Sequence, residues 1–126
     1  MASAQDAALV IAGGIGSAVA IVHGILTQRL IVRPLGEAAA PKLPRSTRRL
    51  GAMLVQFSTF NWFIGGLALI AVAFESDSAA RLAVGLLVGT SYLYGAVGNF
   101  VATRGRHPGW IFYGIALALI VYALYR

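Results

Sequence analysis

The chain has 126 residues, of which 59% are hydrophobic and 11% are charged, and it contains no cysteine. About a quarter of the residues in a soluble domain are charged, so this composition indicates an integral membrane protein. The absence of cysteine excludes disulfides, thiolate metal sites and cysteine nucleophiles. The net charge of +6 does not indicate nucleic-acid binding, because most of the basic residues flank apolar runs, where they set topology and meet anionic lipid head groups.

Four apolar segments are candidates to cross a bilayer, whose hydrocarbon core takes about 20 helical residues to span. The predicted spans cover residues 7–30, 50–74, 79–102 and 109–125, and the last is near the lower limit of length. We therefore predict an all-α polytopic membrane protein that forms one domain over residues 1–126, a four-transmembrane-helix bundle. No convincing internal repeat is present, so a transporter built from inverted repeats within one chain is not supported.

The first span has two distinct faces. Small or polar residues recur at intervals of three and four, which favours close helix packing: Gly13, Gly16, Ala20, His23 and Thr27. The opposite face is predicted to meet lipid: Leu9, Ile11, Ile15, Val22 and Leu26.

Residues 31–49 are predicted to form a loop, because three prolines should break any helix there: Pro34, Pro41 and Pro44. Ser46 is the expected N-cap of the second span, and Asp77 or Ser78 that of the third. Pro108 suits the first position of the fourth helix.

The later spans differ in character. The second opens with polar residues interleaved with aromatic ones, Gln56 to Phe63, and then becomes aliphatic. Gly85 and Gly89 form a GxxxG pattern that predicts a helix-packing face in the third. Aromatic residues at the two ends of the fourth resemble interfacial anchors: Trp110, Tyr122 and Tyr125.

The basic residues predict the orientation. The first and third loops, with their flanking helix ends, hold most of them: Arg29, Arg33, Lys42, Arg45, Arg48, Arg49, Arg104 and Arg106. The positive-inside rule then puts residues 31–49 and 103–108 in the cytoplasm and both termini outside a bacterial-type inner (plasma) membrane.

Polar residues concentrate in the cytoplasmic half of the predicted bundle. By helical rise, His23 lies about 10 Å below the cytoplasmic boundary and Gln56 about 9 Å below it. Residues of four spans can therefore converge as a ligand-binding pocket: His23, Gln56, Thr59, Asn99 and Tyr113. The alternative is that they hydrogen-bond across helices and only hold the bundle together. An ionisable residue at membrane depth is a functional candidate by default, which favours a site role for His23 more than for the other four residues.

The sequence offers little support for cofactor or enzyme chemistry. We predict no catalytic residues and no cofactor, and leave a metal site undetermined. Haem with His23 as an axial ligand is an alternative, since His107, itself predicted to be a solvated loop residue, lies toward the same side. A proton-coupled pump is disfavoured, because all four carboxylates fall at boundaries or in loops.

Two resemblances can be stated. The segment Phe57-Ser58-Thr59-Phe60 is similar to a motif of small fluoride channels, but it lies in the second span instead of the third. The arginine that follows the first-span glycine pair in that family is also missing. We therefore infer no channel function from this likeness. In outline, the chain resembles uncharacterised small four-span bacterial inner-membrane proteins, through His23-Gly24, Arg48-Arg49-Leu50 and the segment from Arg104 to Trp110. That resemblance implies the fold and the membrane but no activity.

Three hypotheses for function follow. The first is a small membrane protein whose cytoplasm-facing polar pocket binds or transports a small ligand or ion. The second is a structural or accessory subunit of a larger membrane complex, and the third is a haem or redox membrane protein. Glycine on several helix faces also favours a homo-oligomer.

Overall fold

The structure is a computed structural model that describes residues 3–125, and all its regular elements are helices. The first helix, α1 (Ala4–Thr27), passes through a π-helical turn (Gln28–Val32) into a short helix, α2 (Arg33–Ala39). Three more follow: α3 (Arg45–Val72), α4 (Ser78–Thr103) and α5 (Gly109–Leu124). Among the described residues, three helices are long and apolar enough to cross a membrane, and α5 is shorter, with 16 residues.

The helices form an antiparallel bundle. α1 packs against α3 and α5, and α4 packs against the same two helices, so the order around the bundle is α1, α3, α4, α5. One end, here called the arginine-rich end, carries residues 28–49 and the α4–α5 turn, 103–108. The opposite end, here called the terminal end, carries the start of α1, the end of α5 and the α3–α4 connection.

Local sequence signals explain where several helices start and end. Ser3 and Asp6 form a reciprocal capping box at the start of α1, and the Asp77 side chain accepts the Ala79 N–H at the start of α4. The predicted cap at Asp77 is thus confirmed. α4 ends in a left-handed pair, Arg104 and Gly105, whose positive φ angles suit glycine at the second position.

The prediction that proline ends the first helix near residue 31 is wrong. The helix continues to Ala39, and Pro34 occupies the first turn of α2, where its missing N–H is tolerated. In the π-helical turn before Pro34, hydrogen bonds join residues five apart instead of four. Arg33 N–H, for example, donates to Gln28 O. The connection to α3 is therefore short, and Pro44 rather than Ser46 is the N-cap of α3.

Two glycines bring α1 and α3 into backbone contact. A Cβ added at Gly66 would lie 2.6 Å from Gly13 O and 3.0 Å from Ser17 N, so a side chain at this position would collide with α1. Gly85 and Gly89 face α5, with Leu124 and Ile120 as neighbours, which confirms the predicted packing face of α4. The bundle therefore uses small residues for close helix approach.

Large apolar side chains occupy both the centre of the bundle and its outer surface. Tyr92, Tyr113 and Trp62 are buried at the centre, whereas large aliphatic and aromatic side chains project outward along every long helix. Leu9 was predicted on the outward face but is fully buried. It lies one helical turn before Gly13 and therefore shares the packing face, so the predicted assignment of Leu9 to the lipid face is wrong.

Candidate functional site

A cleft between α1 and α5 opens on the outer face of the bundle near the arginine-rich end. Its volume is about 360 Å³, within the range of about 300–1,000 Å³ that small-molecule sites occupy. Most of its wall is apolar, and the polar side chains gather at one end. The lining residues are Ile15, Ala18, Val19, Val22, His23, Asn99, His107, Pro108, Gly109, Phe112 and Tyr113.

His23 lines the cleft from α1 and is half-buried. Its Nε2 lies 3.2 Å from the hydroxyl of Thr27, one turn further along the helix. The Trp62 ring and the imidazole pack in a T-shaped arrangement, with ring centroids 4.9 Å apart. These two contacts hold the imidazole in place beside the cleft. In the sequence Trp62 is one of several aromatic residues in α3, and its contact with His23 depends on how α1 and α3 pack.

Tyr113 lines the cleft from α5 and is fully buried. Its ring lies 4.9 Å from that of Trp62 and 5.0 Å from that of Tyr92. The Tyr92 hydroxyl donates to Trp62 O at 3.4 Å, but the Tyr113 hydroxyl is buried with no hydrogen-bond partner. A buried donor without a partner costs about 1–3 kcal/mol, so this hydroxyl is a position where a bound molecule could complete a hydrogen bond.

The α4–α5 turn closes the polar end of the cleft. Asn99 donates from Nδ2 to Gly95 O at 3.0 Å, and its backbone carbonyl accepts the Thr103 hydroxyl at 2.6 Å. Gly109 N–H donates to His107 Nδ1 at 3.1 Å, which leaves the proton of the neutral ring on Nε2. His107 lies in the loop just before α5, as predicted, but it is half-buried and lines the cleft instead of facing only solvent.

Gln56 and Thr59 lie elsewhere, on the α1–α3 contact. Gln56 Nε2 donates to Gly24 O at 3.1 Å and to Gln28 Oε1 at 3.2 Å. The methyl group of Thr59 packs against Gly24, and its hydroxyl is buried without a hydrogen-bond partner. The five predicted site residues are therefore divided. His23, Asn99 and Tyr113 line the cleft, while Gln56 and Thr59 join α3 to α1.

The cleft offers hydrogen-bond donors at one end and apolar contact elsewhere. No carboxylate lines it, and no group of three or more metal-ligating side chains is found within residues 3–125. A molecule suited to it would have an apolar body and a polar end that accepts hydrogen bonds from imidazole and phenol groups.

No family model matches the chain, no curated protein matches it, and no solved structure matches it.

Proposed function

We propose that this chain is an integral membrane protein whose α1–α5 cleft binds an amphiphilic small molecule that arrives from the bilayer. The outward-facing side chains support the membrane location. Leu87, Leu54 and Phe60 are 73%, 67% and 62% exposed, which would be costly in water and is favourable in lipid. The resemblance to small four-span bacterial inner-membrane proteins is consistent with this location.

In this proposal α1, α3, α4 and the shorter α5 all cross the bilayer, with the arginine-rich end in the cytoplasm and both termini outside. α5 has 16 residues and is about 24 Å long, so it reaches across only where the bilayer thins or the flanking aromatic residues lie in the interface. Single cysteines introduced at Ser3 and Arg106 test the orientation, because a membrane-impermeant thiol reagent should label the first and not the second in intact cells.

The observation that carries the binding proposal is the buried, unpartnered hydroxyl of Tyr113 beside an apolar cleft. The mouth of the cleft is flanked by exposed residues of α1 and α5, Val22 and Phe112, so a molecule dissolved in the bilayer could enter sideways. Its apolar body would replace lipid contacts, and its polar end would accept the Tyr113 hydrogen bond.

The packed centre of a single bundle supports binding of a ligand in the cleft rather than its conduction through the bundle. Tyr92, Tyr113 and Trp62 fill the centre of the bundle at the level of the cleft, and the first two are 0% exposed. The cleft therefore ends against packed aromatic rings. Transport would require all three rings to move, whereas binding requires only that the buried Tyr113 hydroxyl reach the cleft that its residue lines.

The test compares two variants at the cleft with a matched control. Ala18→Phe would fill the cleft from α1, and Tyr113→Phe would remove the unpartnered hydroxyl with little change of shape. Ala118→Phe, on an exposed part of α5 that does not line the cleft, controls for adding an aromatic ring to the lipid-facing surface. The purified proteins are titrated with menadione, a small apolar quinone with two carbonyl acceptors, and quenching of tryptophan fluorescence is followed.

We expect Ala18→Phe to abolish saturable quenching and Ala118→Phe to preserve it. Tyr113→Phe should weaken binding about tenfold, the value of one hydrogen bond of about 1.4 kcal/mol. Saturable binding that is the same in all four proteins would refute the cleft as the site. Mass spectrometry of an organic extract of the purified protein would identify the natural ligand.

A second candidate function is that of an accessory subunit in a larger membrane complex. Gly14 and Gly98 lie on the outer surface, and a Cβ added at either would meet no heavy atom within 4 Å, so both leave room for a further helix. Blue-native electrophoresis of mildly solubilised membranes separates the possibilities. A defined band far above the monomer, lost in a Gly14→Leu variant, would favour the accessory role or a homo-oligomer. The absorption spectrum of the same sample tests the haem alternative, because a Soret band would reveal haem.

A further inference from the structure

We propose that the groove between α2 and the start of α3 binds one anionic phospholipid, with the phosphate at Arg48 and an acyl chain along the groove. This inference rests on the proposed membrane location, but it does not depend on the α1–α5 cleft.

The groove lies where the polypeptide turns back from α2 into α3, and its volume is about 280 Å³. Its walls are almost entirely aliphatic and small, which suits a hydrocarbon chain. The lining residues are Val32, Leu35, Gly36, Ala39, Leu43, Thr47, Arg48, Gly51, Ala52 and Val55.

Arg48 is the one charged residue that lines the groove. Its Nη1 donates to Gly36 O at 3.3 Å, which ties α3 to α2 across the groove. Its Nε is buried with no hydrogen-bond partner. A guanidinium in this state retains donors for an anion, and phosphate is the anion whose geometry it matches best.

The surroundings of the groove have the charge that an anionic head group requires. Further cationic side chains lie on the same segment, and all are exposed: Arg29, Arg33, Lys42, Arg45 and Arg49. The single acid there, Glu37, accepts a hydrogen bond from Arg33 at 3.2 Å. The net charge of the segment therefore favours an anionic lipid over a zwitterionic one.

The length of α3 places Arg48 at the right depth. The helix has 28 residues and is about 42 Å long, whereas the hydrocarbon core of a bilayer is about 30 Å thick. Its first turns therefore extend into the head-group region. The groove residues Val32, Leu35 and Val55 then lie where the upper part of an acyl chain would run.

Native mass spectrometry tests the proposal. Detergent-solubilised protein is mixed with equal amounts of phosphatidylglycerol and phosphatidylcholine, and the lipid that stays bound is measured. Arg48→Gln removes the phosphate contact, and Gly51→Leu fills the groove without changing charge. Arg106→Gln and Gly114→Leu make the same changes at exposed or half-buried positions that do not line the groove.

We expect one phosphatidylglycerol to bind preferentially to the unmodified protein. Arg48→Gln should reduce that preference about tenfold, as for loss of a hydrogen bond to a charged group, and Arg106→Gln much less. Gly51→Leu should remove the bound lipid, and Gly114→Leu should keep it. Glycerol 3-phosphate, which has the head-group charge but no acyl chain, should not displace the lipid.

Equal effects of Arg48→Gln and Arg106→Gln would overturn the proposal, because they would show only general attraction to basic residues. Retention of lipid by Gly51→Leu, or displacement by glycerol 3-phosphate, would also overturn it, since the acyl chain would not lie in the groove. The cleft proposal and the lipid-groove proposal can be refuted independently of each other. Arg48→Gln should leave menadione quenching unchanged, and Ala18→Phe should leave lipid preference unchanged.

Discussion

The backbone contact between α1 and α3 makes Gly13→Ala the most informative single substitution in the bundle. A Cβ added at Gly13 would lie 2.8 Å from Ile70 Cγ1 and 3.2 Å from Ile70 N, and it would come closer still to Gly66 O. A side chain can rotate away from such a contact, but a backbone carbonyl in the middle of a helix cannot. The two helices must therefore separate to admit one methyl group.

The loss of stability caused by Gly13→Ala can be estimated by comparison with Gly14→Ala. Overpacking of this kind costs about 1–3 kcal/mol, and the gain in helix propensity from glycine to alanine offsets up to about 1 kcal/mol of it. Gly14→Ala has the same propensity gain on the same helix, but its Cβ would meet no heavy atom within 4 Å. The difference in unfolding free energy between the two variants is thus expected to be about 1–3 kcal/mol, with Gly13→Ala the less stable.

The assay is unfolding of the purified protein by sodium dodecyl sulfate in mixed micelles, followed by tryptophan fluorescence, since Trp62 is buried in the core. Gly14→Ala should equal or slightly exceed the unmodified protein in stability. If the two variants agree within about 0.5 kcal/mol, the value typical of surface substitutions, then α1 and α3 are not in backbone contact and the packing described here is incorrect.

Two further predictions concern the polar contacts between helices. Gln56→Leu removes the hydrogen bond to Gly24 O and should lower the free energy of unfolding by about 1 kcal/mol in the same assay. Menadione quenching should not change, and a loss of quenching would mean that Gln56 belongs to the ligand site. Asp6 precedes the apolar run of α1, and hydrogen bonds from the Ser3 backbone and hydroxyl, followed by Arg81, hold its pKa below the ordinary value of 3.8. A lowered pKa in the folded state means that ionised Asp6 stabilises the fold above its unfolded-state pKa and that this stabilisation is lost as the pH falls through the folded-state pKa. The unmodified protein should therefore lose more stability than Asp6→Asn does on acidification below about pH 4, and equal losses would contradict the contact.

Much of the secondary structure followed from local patterns. The helix predicted over 79–102 is observed as Ser78–Thr103, because apolar composition, the Asp77 cap and the glycine that follows the helix all act within a few residues. The close-packing face of α1 was also predicted, since residues three and four apart must share a face. Pro34 shows the limit of this reasoning, because a π-helical turn can accommodate a proline that would otherwise end the helix.

The candidate site was predicted only in part. Depth along the helices placed His23, Gln56, Thr59, Asn99 and Tyr113 at similar levels, but depth says nothing about the direction around the bundle axis. That direction depends on which helices are neighbours, and here α1 presents Gly24 to α3 and His23 to the cleft with α5.

An all-helical chain with apolar segments of membrane-spanning length and clustered basic residues can be predicted from the residues alone, because composition and charge need no knowledge of neighbours in space. The cleft that His107 and Tyr113 share with His23, and the separate groove that Arg48 lines, are visible only once the helices are packed. The physical reason is that a cleft is the space left between packed helices, and its shape depends on side-chain volumes at contacts far apart in sequence.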